Sequence, residues 1–555
     1  MLNRRWMTAW RLLKSGDLKQ LLTRTLSFFR RPNLCTSVDY SEWRKTWVEV
    51  DSEERSRLIS IADSLPPHMS FTLLLPSDQE DSKLLFSTVE SVLSQIYSNW
   101  TLYILHGDCL DSDLTQKILK KEDSRIKLNE STPVETSDWV VPLTPGVLLD
   151  EVALFNLSNA LIENPKSRIL FGDHDHVNAS GFFHDPHMKP PWNPDLLASM
   201  NYMGPLIVWE KELWRECNDK TSNQHELLIK TTKDLGNESI FHLPKILSSI
   251  HVSGDGSHLL PKVKRVIHGL PSLNPKVSIL IPTRDRGKML TKCLQSLFEI
   301  TDYPNFEVIL IDHDSSERLA LKTISEFELR KAFKVTKFHG SFNFSAMMNH
   351  AAEQATGEVL VLLNNDTEIV ESEWLIELVS QVCRPEVGIA GALLLFGDGT
   401  IQHAGIHPGV GGLMGHGHKH LPKNSSGYFN RLKAVHEVAA VTGACLAIQK
   451  TTWLNLGGLD EQNLPVAYND VDLCLKARQS GLRVIFTPFS IVMHHESVSR
   501  GIDHDPEHNI RLKNEIEVMK KRWGKMLYSD PAYNPNLSID ESSFKLAEKP
   551  RTGQK

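Results

Sequence analysis

The chain has 555 residues, 41% hydrophobic and 23% charged, with a formal net charge of -7. That length accommodates two or three α/β domains with substantial cores, and the acidic balance excludes a global electrostatic attraction to nucleic acid. The seven cysteines are scattered without CxxC spacing, which suits free thiols in a reducing compartment, the cytosol, better than a disulfide framework or a zinc knuckle.

In chain order, the first feature is residues 1–32, where Arg4, Arg5, Arg11, Lys14, Lys19, Arg24, Arg30 and Arg31 stand against Asp17 alone, interleaved with Trp6, Trp10, Leu13, Leu22 and Phe29. The pattern predicts a basic amphipathic helix or pair within an N-terminal segment spanning 1–65. Such a segment lies on an anionic membrane surface, through apolar burial and headgroup attraction, or packs on its own protein with a solvated basic face. No apolar run reaches the roughly 18 to 20 residues that a bilayer requires, and the N-terminus lacks the apolar core of a secretory signal. The expected location is cytoplasmic, with peripheral contact to the inner face of the cytoplasmic membrane through residues 1–32.

An internal repeat follows. Residues 70–105 and 277–311 share a strand ending in proline, an amphipathic stretch, and Asn plus an aromatic opening a second strand, with Pro76 and Asn99 matching Pro282 and Asn305. Further on, Trp139-Val140-Val141 matches Val359-Leu360-Val361 at a longer offset, so the first copy lacks a segment corresponding to residues 342–356. Two copies of one α/β domain are expected, over 66–265 and 275–530, joined by a Pro- and Gly-containing linker near 269–275 and followed by a tail over 531–555. In register, Ser77 replaces Thr283, Gln79 replaces Asp285, His106 replaces Asp312, and Thr144-Pro145-Gly146 replaces Asn364-Asn365-Asp366. The first copy keeps the apolar skeleton without the carboxylates, as a structural or acceptor-handling domain. Its Gly172-Asp173-His174-Asp175 has acid-x-acid spacing but falls well past the metal position, which predicts a structural or loop role.

The second copy is predicted as strand 277–282, helix 287–300, strand 306–312, a helical stretch 317–330, strand 333–338, helix 343–356 and strand 358–363, the alternation of a largely parallel sheet covered by helices. Strand ends of such a sheet line one crevice, which gathers Pro282, Thr283, Asp285, Asp312 and Asp366. A carboxylate just past a buried strand, Asp366, suits a hard divalent cation held against a diphosphate. The glycine-rich stretch holding His403, His407, His416, His418 and His420 lacks the Cys or carboxylate anchors of a fixed zinc site; it is predicted as an acceptor-side loop that orders over substrate. Farther on, Asn469-Asp470-Val471-Asp472 opens a helix running to Ser480. Two residues are about 200° of helical turn, so Asp472 faces away from Asp470 and is assigned to the helix N-terminus. His494, His495 and Arg500 follow a strand predicted over 483–487.

With P-T-x-D at 282–285, D-x-D-S at 312–315, L-N-N-D-T at 363–367, T-G-A-C-L at 442–446, N-D-V-D-L-C at 469–474 and H-H-E-S-x-S-R-G at 494–501, the chain resembles the bacterial two-domain family 2 glycosyltransferases of cell-surface polysaccharide and O-antigen assembly, some of them rhamnosyltransferases, over residues 66 to 540. The resemblance implies tandem GT-A (nucleotide-diphospho-sugar transferase, Rossmann-like) domains, the first degenerate. It implies a nucleotide pocket of Pro282, Thr283, Asp285, Asp312, Asn343, Asn349, Asn365 and Arg500, Mg²⁺ or Mn²⁺ held by Asp366 and His494, and Asp470 as the base of an inverting displacement. The implied partners are a nucleotide-diphospho-sugar donor and a glycan or polyprenyl-linked glycan acceptor, with no nucleic acid. Asn469 stands where many relatives carry Glu. The rival classes are a catalytically inactive nucleotide-sugar-binding scaffold of a polysaccharide assembly complex and a metal-dependent hydrolase or nucleotidyltransferase.

Overall fold

The computed structural model describes residues 38–66, 69–77, 82–106, 116–118, 120–128, 137–217, 223–252, 261–270, 274–495, 506–528, 530, 532–540 and 544–552. The basic segment 1–32, Gln79 and Arg500 lie outside the described residues, as do Cys35 and Cys109; the five described cysteines are free thiols.

The strands Val277–Thr283, Phe306–Asp312 and Val359–Leu363 are nearly continuous aliphatic runs, the pattern of parallel strands covered on both faces. Their alternation sorts two cores. Leu280, Ile309, Leu360 and Leu362 pack with Met347 and Met348 on one face, while Ile279, Ile281, Leu310 and Val361 pack with Leu290, Leu294 and Trp374 on the other. The strand order is Phe333–Lys337, Phe306–Asp312, Val277–Thr283, Val359–Leu363, Cys445–Gln449, Val387–Leu395, Arg483–His494, Thr367–Ile369. The first four are mutually parallel, and Cys445–Gln449 joins them antiparallel.

A second sheet repeats that order place for place: Ile126–Leu128, Trp100–His106, Phe71–Ser77, Trp139–Pro142, Ile207–Glu210, Ile169–Asn178, Ile240–Val252, Val147–Leu149. Registers repeat as well. Ser77 sits opposite His106 as Thr283 sits opposite Asp312, and Val147 pairs with Ile250 as Thr367 pairs with His494. Gly146 and Ile250 therefore occupy the places that Asp366 and His494 hold in the other sheet, and neither side chain is a metal ligand. Among the described residues the 11-residue helix Phe344–Gln354 has no counterpart, and residues 129–138 alone separate Leu128 from Trp139.

Asp173 and Asp175 lie on the buried strand Ile169–Asn178 rather than in a loop, and their oxygens are committed. Asp173 accepts from Lys189 N (2.8 Å) and Asn534 Nδ2 (2.8 Å) and meets His242 Nε2 at 2.8 Å. Asp175 accepts from Tyr40 Oη and Ser249 Oγ, with Arg44 Nε at 3.1 Å. Residues 532–540 thus bind the first half of the chain, while Tyr533 and Phe544 pack with Tyr428 and Phe429 of the second. A further link between halves is Asp195, almost fully buried, which pairs with Arg384 Nη1 at 2.7 Å and with Arg483. Asp195→Ala is expected to lower stability by about 2 kcal/mol, less than for a buried pair left unpartnered because Glu386 stays with both arginines. A fall in urea midpoint at unchanged slope measures it. Among the described residues no helix is long and apolar enough to cross a membrane.

Candidate active site

The parallel strands end in one row, with Thr283 beside Asp312 and Asp312 beside Lys337. The Asp312 carboxylate is fully buried, accepting from Ser315 N at 3.0 Å and from Lys337 Nζ. Burial pushes its pKa up, but those donors outweigh burial and hold it below the usual range. Lys337 escaped the sequence motifs; its only signal is its place at the end of the strand next to Asp312. Asn365 Nδ2 donates to Thr283 Oγ1 at 2.9 Å, tying the first strand's end to the turn before Asp366. Pro282, one residue back, pairs in register with Ile311.

Asp285 is engaged by the neighbouring loop. Its Oδ1 accepts from Ser316 N (2.6 Å) and Glu317 N (2.7 Å), while its own N–H donates to Ser315 Oγ at 2.9 Å. Asp285 and Arg286 both take positive φ, 55° and 56°, to make these contacts. Asp285 therefore laces the loops after the first two strands together and shapes the pocket wall.

Asn343 and Asn349 are engaged within the chain. Asn343 Oδ1 accepts from Ala346 N at 2.9 Å and its amide donates to Glu461 O at 2.8 Å; Asn349 accepts from Leu459 N at 3.0 Å and donates to Leu459 O at 2.9 Å. With these bonds made to residues 459–461, both amides pin the loop that leads to Asp470.

Asp366, 5% exposed, follows the buried strand Val359–Leu363, and its Oδ1 lies 3.0 Å from His494 Nε2. His494 is the last residue of Arg483–His494; the strand predicted to end at Thr487 resumes beyond Pro488, which lacks an N–H, and its register shifts there. Gln402 Nε2 donates to His494 O at 3.4 Å, which turns Gln402 Oε1 toward His494 Nδ1 at 2.7 Å and makes Nδ1 the donor. Nε2 then faces Asp366 Oδ1 at 3.0 Å and the Asn364 amide nitrogen at 3.4 Å, and its lone pair and the carboxylate could together ligate a cation. Among the described residues no group of three His, Cys, Asp or Glu converges on a metal position. Two protein ligands with phosphate oxygens and water fit an oxygen-preferring divalent cation such as Mg²⁺ or Mn²⁺. Gln402→Leu removes the bond that orients the imidazole, so Mn²⁺ affinity is expected to fall about 10- to 100-fold, measured by titration calorimetry.

Asp470 is the second residue of the helix Asn469–Gln479. Its Oδ2 accepts from Gly443 N at 2.7 Å and its Oδ1 from Val471 N at 2.8 Å. Burial raises its pKa above the ordinary aspartate value, and these N–H donors counter that only in part. Asn469 is buried, its amide donating to Ser345 Oγ (3.0 Å) and Val466 O (3.2 Å). Asp472 does lie in the first turn, but its carboxylate goes to Arg522 Nη1 (2.7 Å), Trp523 Nε1 (2.9 Å) and Lys476 Nζ (2.9 Å), anchoring the helix Pro506–Trp523.

Asp470 and His494 meet in a cleft of 350 Å³ whose lining also includes Phe342, Asn364, Gln402, Met414, His416 and Tyr468, while Thr283, Asp312 and Asp366 are not part of that lining. A larger cavity of 520 Å³, lined in part by Trp43, Phe155 and Lys245, contains none of them. The histidine-rich stretch is a packed hairpin, Ile406–Pro408 with Met414–His416, rather than a loop awaiting substrate. His407 Nδ1 lies 2.8 Å from Asp530, His403 Nδ1 lies 2.8 Å from His416 Nδ1, and His418 Nε2 accepts from Tyr428 N at 3.1 Å. Of these, His416 reaches the cleft.

Residues 278–437 match the family described as Glycosyl transferase family 2, a stretch that contains Thr283, Asp312 and Asp366 and stops short of Asp470 and His494. Over 90% of its length the chain is 32% identical to the uncharacterized protein y4gI of Sinorhizobium fredii (strain NBRC 101917 / NGR234), spanning 61% of that protein. Over 87% of its length it is 31% identical to the O-antigen biosynthesis protein RfbC of Myxococcus xanthus, spanning 41% of that protein. The chain therefore covers about half the length of these curated relatives. A crystal structure of GalNAc-T7 with UDP, GalNAc and Mn²⁺ aligns with 46% of this chain and 49% of its own at 19% identity, with a TM-score of 0.38.

Proposed function

We propose that the chain, whose residues 278–437 match the Glycosyl transferase family 2 description, is an inverting, metal-dependent transferase of the GT-A type. It moves a sugar from a nucleotide-diphospho-sugar to a glycan or polyprenyl-linked glycan in cell-surface polysaccharide synthesis of the O-antigen kind, at the inner face of the cytoplasmic membrane. The observation that carries this reading is the shared cleft: Asp470 and His494 line it together, with Asp366 against His494. The O-antigen name of the Myxococcus xanthus relative supports the pathway class.

The Asp470 carboxylate takes the proton of an acceptor hydroxyl as that oxygen bonds to the anomeric carbon and the bond to the diphosphate breaks. Its raised pKa brings it closer to the working pH, where a general base is most effective. Asp366 and His494 would hold Mg²⁺ or Mn²⁺, which supplies charge stabilisation for the departing diphosphate. Thr283, Asn365 and Asp312 form the nucleotide end, where Lys337 adds a positive charge beside Asp312. The inactive-scaffold alternative drew on Asn469, and that residue packs onto Ser345 without displacing Asp470.

Purified protein with Mn²⁺ and a panel of nucleotide sugars, with and without a lipid-linked glycan extract, tests the proposal by nucleotide release. Release that depends on the extract is expected. Donor binding without turnover under every condition supports the scaffold instead, and consumption that ignores the extract supports a hydrolase.

A further inference from the structure

We propose that Glu515 is a positioning residue for Asp470, acting through the turn 465–468; this rests on the reading of Asp470 as the base. Glu515 lies on the helix Pro506–Trp523, beyond the matched family stretch, and is 1% exposed. Its Oε1 accepts from Val466 N at 2.8 Å and from Ala467 N at 3.0 Å, so one buried carboxylate oxygen gathers two consecutive backbone donors. Immediately after them Tyr468 takes φ 60°, in the left-handed region that a bulky side chain rarely adopts, and Asn469 and Asp470 open the helix.

The turn is gripped from both sides. On the opposite side Ser345 N donates to Pro465 O at 3.1 Å, Ser345 Oγ donates to Leu464 O at 2.6 Å, and Asn469 Nδ2 returns to Ser345 Oγ. The helix Phe344–Gln354 thus engages the turn's carbonyls, and Glu515 engages its N–H groups. A left-handed tyrosine persists only where its surroundings over-determine it, and Glu515 supplies half of that determination. Tyr468 stands between the two acids: burial, then the Glu515 carboxylate, then that of Asp470 push its hydroxyl pKa up. Leu512, one turn before Glu515, lines the cleft with Val466, Ala467 and Tyr468. Removing the Glu515 carboxylate lets Tyr468 relax and carries Asp470 Oδ2 off Gly443 N, although Glu515 touches neither. Arg522 and Trp523 still hold Asp472, so the helix itself stays seated.

The test compares Glu515→Ala, Glu515→Asp, which keeps the charge but loses the reach, and Glu515→Gln, whose amide oxygen accepts the same two N–H groups. With the nucleotide sugar and lipid-linked glycan extract that give wild-type turnover, the Ala and Asp variants are expected to lose at least about tenfold in kcat with donor KM within about twofold, while Gln keeps most of kcat. Amide exchange in residues 440–446 is expected to speed up in Ala and Asp and not in Gln. The proposal is overturned if Ala and Asp keep wild-type kcat, if Gln falls as far as Ala, or if exchange rises only within 464–468. Should the Ala variant fail to fold, Asp reads the same contact. If the wild type turns over no donor, the assignment of Asp470 as base fails, and the exchange measurement alone still decides whether Glu515 holds Asp470 onto Gly443.

Discussion

Asp470→Asn is expected to lower kcat by roughly 10²- to 10⁴-fold, the range that a positioned base contributes, while leaving donor KM within about twofold. The replacement is isosteric, but its single amide oxygen accepts from one of the two N–H groups that the carboxylate engages, Gly443 N or Val471 N, and the amide nitrogen faces the other. Because burial raises the pKa of Asp470 above 3.8, the acid limb of the wild-type kcat profile lies above the ordinary aspartate range, with activity lost as pH falls through the raised value. The same shift acts oppositely on stability. A carboxyl whose folded pKa is raised favours the fold most when protonated, below its unfolded pKa, and that contribution is lost as pH rises through the folded value. Asn removes the ionised form altogether. The melting temperature of Asp470→Asn relative to wild type is therefore expected to be highest at pH 8 and to fall toward pH 4, as thermal unfolding across pH would show. Low activity without that pH trend would point to damage rather than to loss of a base.

Asp366→Ala is expected to cost at least about 10²-fold in kcat/KM at fixed Mn²⁺, partly recovered at higher metal, because one of two protein ligands is gone while His494 and the phosphate oxygens remain. The substitution spares the local backbone, since His495 N donates to the main-chain oxygen of Asp366 at 2.9 Å and Thr367 still pairs with His494. A Mn²⁺ titration of activity checks it. An unchanged apparent metal affinity would remove Asp366 from the metal site.

Much of the architecture is legible from residue pattern because its signals are local. Continuous aliphatic runs such as Val277–Thr283 mark doubly covered strands, and the spacing from Pro76 to Pro282 carries the repeat that the sheets reproduce strand by strand. The positions of Asp366, just past a strand, and of Asp470, at a helix start, are legible from the sequence in the same way. What the sequence hides is where side chains go when their partners are distant. Asn343 and Asn349 look like ligand-reading amides at a helix start, yet their partners lie more than 100 residues away at 459 and 461. Asp472 and Glu515 likewise act across separations of about 50 residues, for which no periodicity exists. The histidine stretch misleads in another way: its glycines suggest mobility, whereas Gly405 and Gly409 take positive φ to build a hairpin whose histidines pack against Asp530 and Phe544.

The most direct measurement of the central claim is the anomeric configuration of the transferred sugar, read by proton NMR on product made from the donor that supports turnover. A single displacement with Asp470 as base predicts inversion relative to the nucleotide sugar; a product of retained configuration would contradict it.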